Sequence, residues 1–163
     1  MILEFIGFSA SAGTDQIGTG TVEFSQVLTN EGNHFNPILS RFTCPQSGFY
    51  YFYINLQLRM DASFNYDICY VYIRQDGTDI ALVRHNILLT IIRHHILRSR
   101  STFQAENDDE VSTTDIEIMM STSVITECPA GGVITVETTF SECYIFGSTT
   151  NPWSNFGGYY IGA

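Results

Sequence analysis

Residues 48–59 read GFYYFYINLQLR. In an extended strand, successive side chains point to opposite faces. Tyr50, Phe52, Ile54, Leu56 and Leu58 then share one face; Phe49, Tyr51, Tyr53, Asn55, Gln57 and Arg59 share the other. The first set is apolar throughout and reads as a core face. The second begins aromatic and ends polar. Three large aromatics facing away from a core are unusual on a monomer's surface, which points to Phe49, Tyr51 and Tyr53 as a contact with another subunit. A strand covered on both sides inside a sandwich accounts for the same pattern.

The flanking sequence repeats the period of two. Before this run, Val22, Phe24 and Gln26 alternate with Glu23, Ser25 and Val27, a weak strand; Asn30, Gly32, Asn33 and Pro37 then read as a loop. After it, Cys69, Val71 and Ile73 oppose Tyr70, Tyr72 and Arg74, and Asp76-Gly77 is a strong hairpin signal into the run that ends at Arg84. Ile116, Ile118 and Met120 alternate with Asp115, Glu117 and Met119. Val133 to Val136, Tyr144 to Phe146 and Phe156 to Gly162 are further short strands. No stretch carries a capped helix pattern, although Ile87 to Leu97 fits helix or strand. Many short strands separated by turn residues predict an all-β sandwich or jelly roll.

Composition narrows the function. The chain has 163 residues, the usual size of a single domain, expected here over residues 1–163. With 44% hydrophobic and 15% charged residues it is not a disordered chain. Its 7 basic residues, all arginine, stand against 17 acidic ones for a net charge of −10. Phosphate neutralisation needs a basic surface, so nucleic acid is excluded as a partner, and so is an electrostatic anchor on an anionic membrane. The most apolar run, Ile87 to Ile92, is far shorter than the ~20 residues of a membrane span. The N-terminal MILEFIGFSA carries Glu4 and no basic segment, unlike a signal peptide, so the chain is read as a mature domain.

Three stretches resemble the globular C1q domain. Val22, Phe24, Val27, Leu28, Asn30, Gly32 and Phe35 match its V-x-F-x-x-V-L-x-N-x-G-x-x-[FY] start. Phe42, Cys44, Gly48, Tyr50 and Phe52 match the central F-x-C-x-x-x-G-x-Y-x-F. Phe156, Gly158 and Tyr159 match the final F-x-G-[FY]. In place of the family's Gly-Asp-x-Val turn stands Gly131-Gly132-Val133-Ile134, and the segment between Gly77 and that turn is longer than usual. The resemblance implies a ten-stranded jelly-roll sandwich, similar in fold to tumour necrosis factor and assembled as a trimer. It further implies a secreted protein without catalytic activity, and no collagen-like Gly-x-y run is present.

Four groups of residues are candidates for function. Four cysteines, Cys44, Cys69, Cys128 and Cys143, allow three pairings, with four buried thiols as the alternative. The resemblance implies Cys44–Cys69, leaving Cys128–Cys143. His94 and His95 are adjacent and point apart on a strand, a poor metal pair. Asn107, Asp108, Asp109 and Glu110 offer hard oxygen ligands for calcium, the one cofactor the sequence suggests, against the reading of a solvated loop. Arg84, Arg93, Arg98 and Arg100 gather four of the seven basic residues. Their forks suit a carboxylate or phosphate, as on sialic acid, lipopolysaccharide or an acidic partner; internal balance against Glu106 to Glu110 is the plainer account. Trp153 is placed near this cluster as a ring on which a sugar can stack, or as a packing residue at the rim.

No nucleophile–base motif, phosphate loop or paired-carboxylate signature is present, so catalysis is not expected. The expectation is a secreted homotrimer that recognises glycan or microbial surface ligands in innate immunity. The alternatives are a signalling ligand for a protein receptor and a calcium-associated extracellular matrix component.

Overall fold

The structure is a computed structural model and describes residues 5–60, 68–86, 116–139 and 144–163. Every regular element among them is a β-strand: β1 (Gly7–Ser11), β2 (Gln16–Ile17), β3 (Gly20–Thr21), β4 (Gln26–Glu31), β5 (Phe35–Asn36), β6 (Arg41–Thr43), β7 (Gly48–Met60), β8 (Ile68–Gln75), β9 (Thr78–Asn86), β10 (Ile116–Cys128), β11 (Val133–Thr138), β12 (Tyr144–Ile145) and β13 (Asn155–Gly162). The strands form two antiparallel sheets. The first, seven-stranded, runs β2-β12-β7-β13-β1-β4, with β10 on the other side of β7. The second, six-stranded, runs β5-β6-β11-β8-β9, with β3 beside β11. The two sheets pack as the jelly-roll sandwich that the sequence implies. The strand segments exceed ten because β2, β3, β5 and β12 are pieces of two residues each.

The alternation read in residues 48–59 sets the core. Tyr50, Phe52, Ile54, Leu56 and Leu58 are all buried. Phe8 of β1 lies between the sheets, stacked on Phe35 at 4.6 Å and on Phe42 at 4.8 Å, with Phe156 of β13 edge-on at 4.8 Å. Each such pair adds about 0.5–1.5 kcal/mol beyond its buried area. Asp76 and Gly77 both take positive φ, 50° and 81°, as the two-residue turn between β8 and β9 requires.

Two strands differ from the sequence reading. Val22 and Phe24 are buried, but their amides bond Val136 O and the Ser40 hydroxyl, so the ladder starts only at Gln26. It then runs through Asn30, whose side chain brackets the backbone of Phe35. Strand β10 continues past Met120 to Cys128, paired along the full length of β7. Its second half is rich in Ser and Thr because it lies at an edge.

The disulfide joins Cys44 to Cys128, with Cα atoms 6.5 Å apart, and not to Cys69 as the resemblance implied. Topology gives the reason. Cys44 follows β6 and bonds the turn that opens β11, through Cys44 N to Gly132 O and Gly131 N to Cys44 O. Val133 is paired with Thr43, and Asp76 N bonds Val133 O, so this is the hairpin end of β8. Cys69 lies six residues back along β8, about 20 Å away at strand rise. Cys69 is itself disulfide-bonded; Cys143 lies outside the described residues.

Gly158 allows the closest approach inside the seven-stranded sheet. A Cβ there would press on the Phe52 ring and come within 2.8 Å of the Tyr51 carbonyl oxygen. Gly158→Ala is expected to cost about 3 kcal/mol by overpacking. Urea unfolding measures this, and an unchanged midpoint would show that β13 shifts freely.

Candidate functional site

Two outer faces and one loop hold the exposed chemistry. On the seven-stranded sheet, Phe49, Tyr51 and Tyr53 of β7 face outward, as the sequence predicts. Register places Ile125 of β10 and Tyr159 of β13 on either side of Tyr51. Tyr51 touches the rings of Tyr53 and Tyr159, at 6.1 and 5.3 Å. Phe49 is 45%, Ile125 63% and Tyr159 41% exposed, so this end of the sheet offers a continuous apolar surface to water. Next to it lies a dimple of about 350 Å³ lined by Tyr51, Tyr53, Asn55, Ser121, Thr122 and Ser123. Asn55 donates to Asn155 at 3.0 Å, and Tyr53 OH to Ser9 Oγ at 3.4 Å. No carboxylate lines the dimple among the described residues.

The outer face of the six-stranded sheet is different. Tyr70, Tyr72 and Arg74 of β8 point away from the buried Cys69, Val71 and Ile73. The rings of Tyr70 and Tyr72 lie 6.3 Å apart and nearly parallel, at 17°. A guanidinium covers each: Arg74 sits 5.1 Å over Tyr72, and Arg84 of β9 sits 5.5 Å over Tyr70. Arg74 donates to Asp79 Oδ1 at 2.6 Å and to Glu137 Oε2. The bond to Asp79, with a smaller contribution from Glu137, outweighs partial desolvation and raises the Arg74 pKa, so it stays charged. Arg84 is exposed and has no ion pair among the described residues. Leu82, paired with Tyr72, extends the shelf with an exposed apolar side chain.

Trp153 stacks on Phe146 at 4.5 Å in a loop held by Ser148, whose Oγ accepts from Thr150 N and Asn151 N. The loop adjoins the seven-stranded sheet, since Phe146 N bonds Gln57 O of β7. Arg84 belongs to β9 of the other sheet. Arg93, Arg98, Arg100, His94, His95 and Asn107, Asp108, Asp109 and Glu110 lie outside the described residues.

A cavity of about 380 Å³ opens near β2 and β3 beside Asp15, Glu23 and Thr138. The Asp15 carboxylate is already engaged by Tyr144 OH at 2.6 Å and Gly147 N at 2.9 Å. No group of three or more metal-ligating side chains occurs among the described residues. The sequence showed that Tyr70, Tyr72 and Arg74 share a face. It did not show that Glu137 would reach Arg74, because that contact depends on β11 pairing with β8.

The model of the C1q domain matches residues 7–111 of the chain. Among solved structures, the fold is similar to the globular domain of zebrafish complement 1qA protein. The two share 14% identity, the match covers 96% of this chain and 97% of that one, and the TM-score is 0.57. No curated protein sequence matches.

Proposed function

The chain belongs to the C1q domain family, and from that premise we propose that it is a secreted, trimeric recognition protein without catalytic activity. Its ligands on this reading are repeated glycans or other components of microbial surfaces. The observation that carries the reading is the cluster of exposed apolar side chains around Phe49, Tyr51, Ile125 and Tyr159, the kind of patch that marks an interaction surface. Assembly through that face buries it and turns the six-stranded sheet outward in three copies. Three weak sites on one particle gain avidity on a surface with repeated ligands. The disulfide fits an oxidising, extracellular setting. No helix among the described residues is long and apolar enough to cross a membrane.

The test is binding of the purified protein to a panel of glycans and microbial surface components, with and without chelator. Saturable binding that a free sugar competes away is expected. Chelator sensitivity would bring calcium into the site. No binding from a folded trimer would overturn the reading.

A protein receptor is the second reading, favoured by one turn. Asn36 Oδ1 accepts from the amides of Ile38 and Leu39, at 3.0 and 3.1 Å, and pins the loop between β5 and β6. Ile38, at its tip, is 90% exposed. A rigid apolar tip suits a protein partner better than a sugar.

A further inference from the structure

We propose that the cavity beside β2 and β3 receives a primary ammonium on an alkyl stem, the lysine side chain of a protein partner. The proposal goes beyond the glycan reading above and does not depend on it.

The site is built where the chain crosses from one sheet to the other. Strand β2 pairs with β12 of the first sheet and β3 with β11 of the second. The cavity of about 380 Å³ lies at this crossing and is lined from both sheets, by Ile145 of β12 and Thr138 of β11. Side chains hold the crossing in shape. The Gln16 amide donates to Glu23 O at 2.6 Å and accepts from Glu23 N at 2.7 Å, which ties its two ends together. The buried Thr138 hydroxyl donates to Gly18 O at 2.7 Å. Gly18 and Gly20 take φ of 127° and 117°, angles that other residues rarely adopt.

Three features of the lining select the ligand. First, it carries two carboxylates, Asp15 and Glu23, and no basic side chain. It therefore favours a positive charge, which a chain of net charge −10 also draws towards it. Second, Val22 and Ile145, both buried, and the exposed Ile17 supply apolar surface against which an alkyl stem can lie. A bare metal ion has no use for that surface. Third, the acceptors are arranged for an ammonium. Tyr144 OH and Gly147 N each bond one oxygen of Asp15, which fixes the carboxylate and leaves lone pairs on both oxygens. Those two donors obstruct the two-pronged grip that a guanidinium prefers, whereas the three N–H bonds of an ammonium diverge from one point and suit separate acceptors. The lysine comes from a different protein. All 7 basic residues of this chain are arginine, so a second copy has no lysine to offer.

The experiment is saturation-transfer NMR on the full chain at physiological salt, with Nα-acetyl-lysine methylamide as the probe. The Nε-acetylated form of the probe and its arginine counterpart are the comparisons. The variants are Glu23→Gln, Asp15→Asn and Glu31→Gln. Glu31 is exposed on β4 and its variant removes the same charge away from the cavity, so it reports non-specific attraction. The lysine probe is expected to bind saturably, with saturation reaching its stem protons, and about ten-fold or more tightly than the Nε-acetylated form. Glu23→Gln and Asp15→Asn should each weaken it about ten-fold, and Glu31→Gln less than about two-fold. Asp15→Asn also disturbs the bonds to Tyr144 and Gly147, so the exposed Glu23 carries the test if that variant does not fold. Equal losses in Glu23→Gln and Glu31→Gln, or none, overturn the proposal. So does equal binding of the Nε-acetylated probe, tighter binding of the arginine probe, or no binding at all. Each of these outcomes leaves the glycan reading standing, because no carbohydrate enters the test.

Discussion

Replacing both Cys44 and Cys128 by alanine is expected to lower stability by about 4–5 kcal/mol. The bridge closes a loop of 84 residues in sequence separation. In the chain-entropy account, a crosslink of that span restricts the unfolded ensemble by roughly 4.5 kcal/mol. The native geometry should survive its loss, because Cys44 stays bonded through its backbone to Gly131 and Gly132. The effect therefore falls on the unfolded state, and the melting midpoint should drop by roughly 10–18 °C for a chain of this size. Thermal unfolding of the double variant without reductant, so that the bridge of Cys69 stays intact, reads the loss. A midpoint within about 2 °C of wild type would show that the backbone contacts carry the stability and the bridge does not. Peptide mapping without reduction checks the connectivity: the fragment holding Cys44 should travel with the one holding Cys128.

The same cysteines mark where sequence reading stops. Parity along a strand is a local property, so the buried face of β7 could be read directly from GFYYFYINLQLR, and the outward set Phe49, Tyr51 and Tyr53 followed from it. Turn chemistry is local too, and Asp76-Gly77 closed the hairpin as read. Pairing partners are not local. Cys44 and Cys69 lie only 25 residues apart in sequence, yet β11 intervenes in space and draws Cys128 to Cys44. The shelf on the six-stranded sheet has the same history. Tyr70, Tyr72 and Arg74 could be placed on one face, but Arg84 over Tyr70 and Glu137 on Arg74 depend on the registers of β9 and β11. The Ser- and Thr-rich half of β10 is not legible in the sequence for a further reason. A strand that buries little at a sheet edge has a weak hydrophobic alternation and resembles a loop.

The wild-type protein is expected to behave in solution as a trimer of its 18.3 kDa subunit, and Ile125→Asp as a folded monomer. Ile125 is 63% exposed in the lone subunit, so a carboxylate there meets water and leaves the fold intact. In the assembly, the same carboxylate would be enclosed beside Tyr51 and its neighbours, where the described lining of the adjacent dimple is neutral. An unpaired buried charge costs several kcal/mol, enough to dissociate a complex of ordinary strength. Light scattering after gel filtration measures the mass, and circular dichroism shows whether the variant is folded. Binding to a glycan-coated surface then supplies a readout that simple instability would not mimic. Loss of two linked sites should weaken attachment to the surface by about 10²–10⁴, while affinity for a monovalent sugar stays unchanged. A trimeric Ile125→Asp variant would move the interface off this face. A wild-type monomer would leave the apolar surface of β7, β10 and β13 to some other partner, and the protein-receptor reading would then take precedence over avidity.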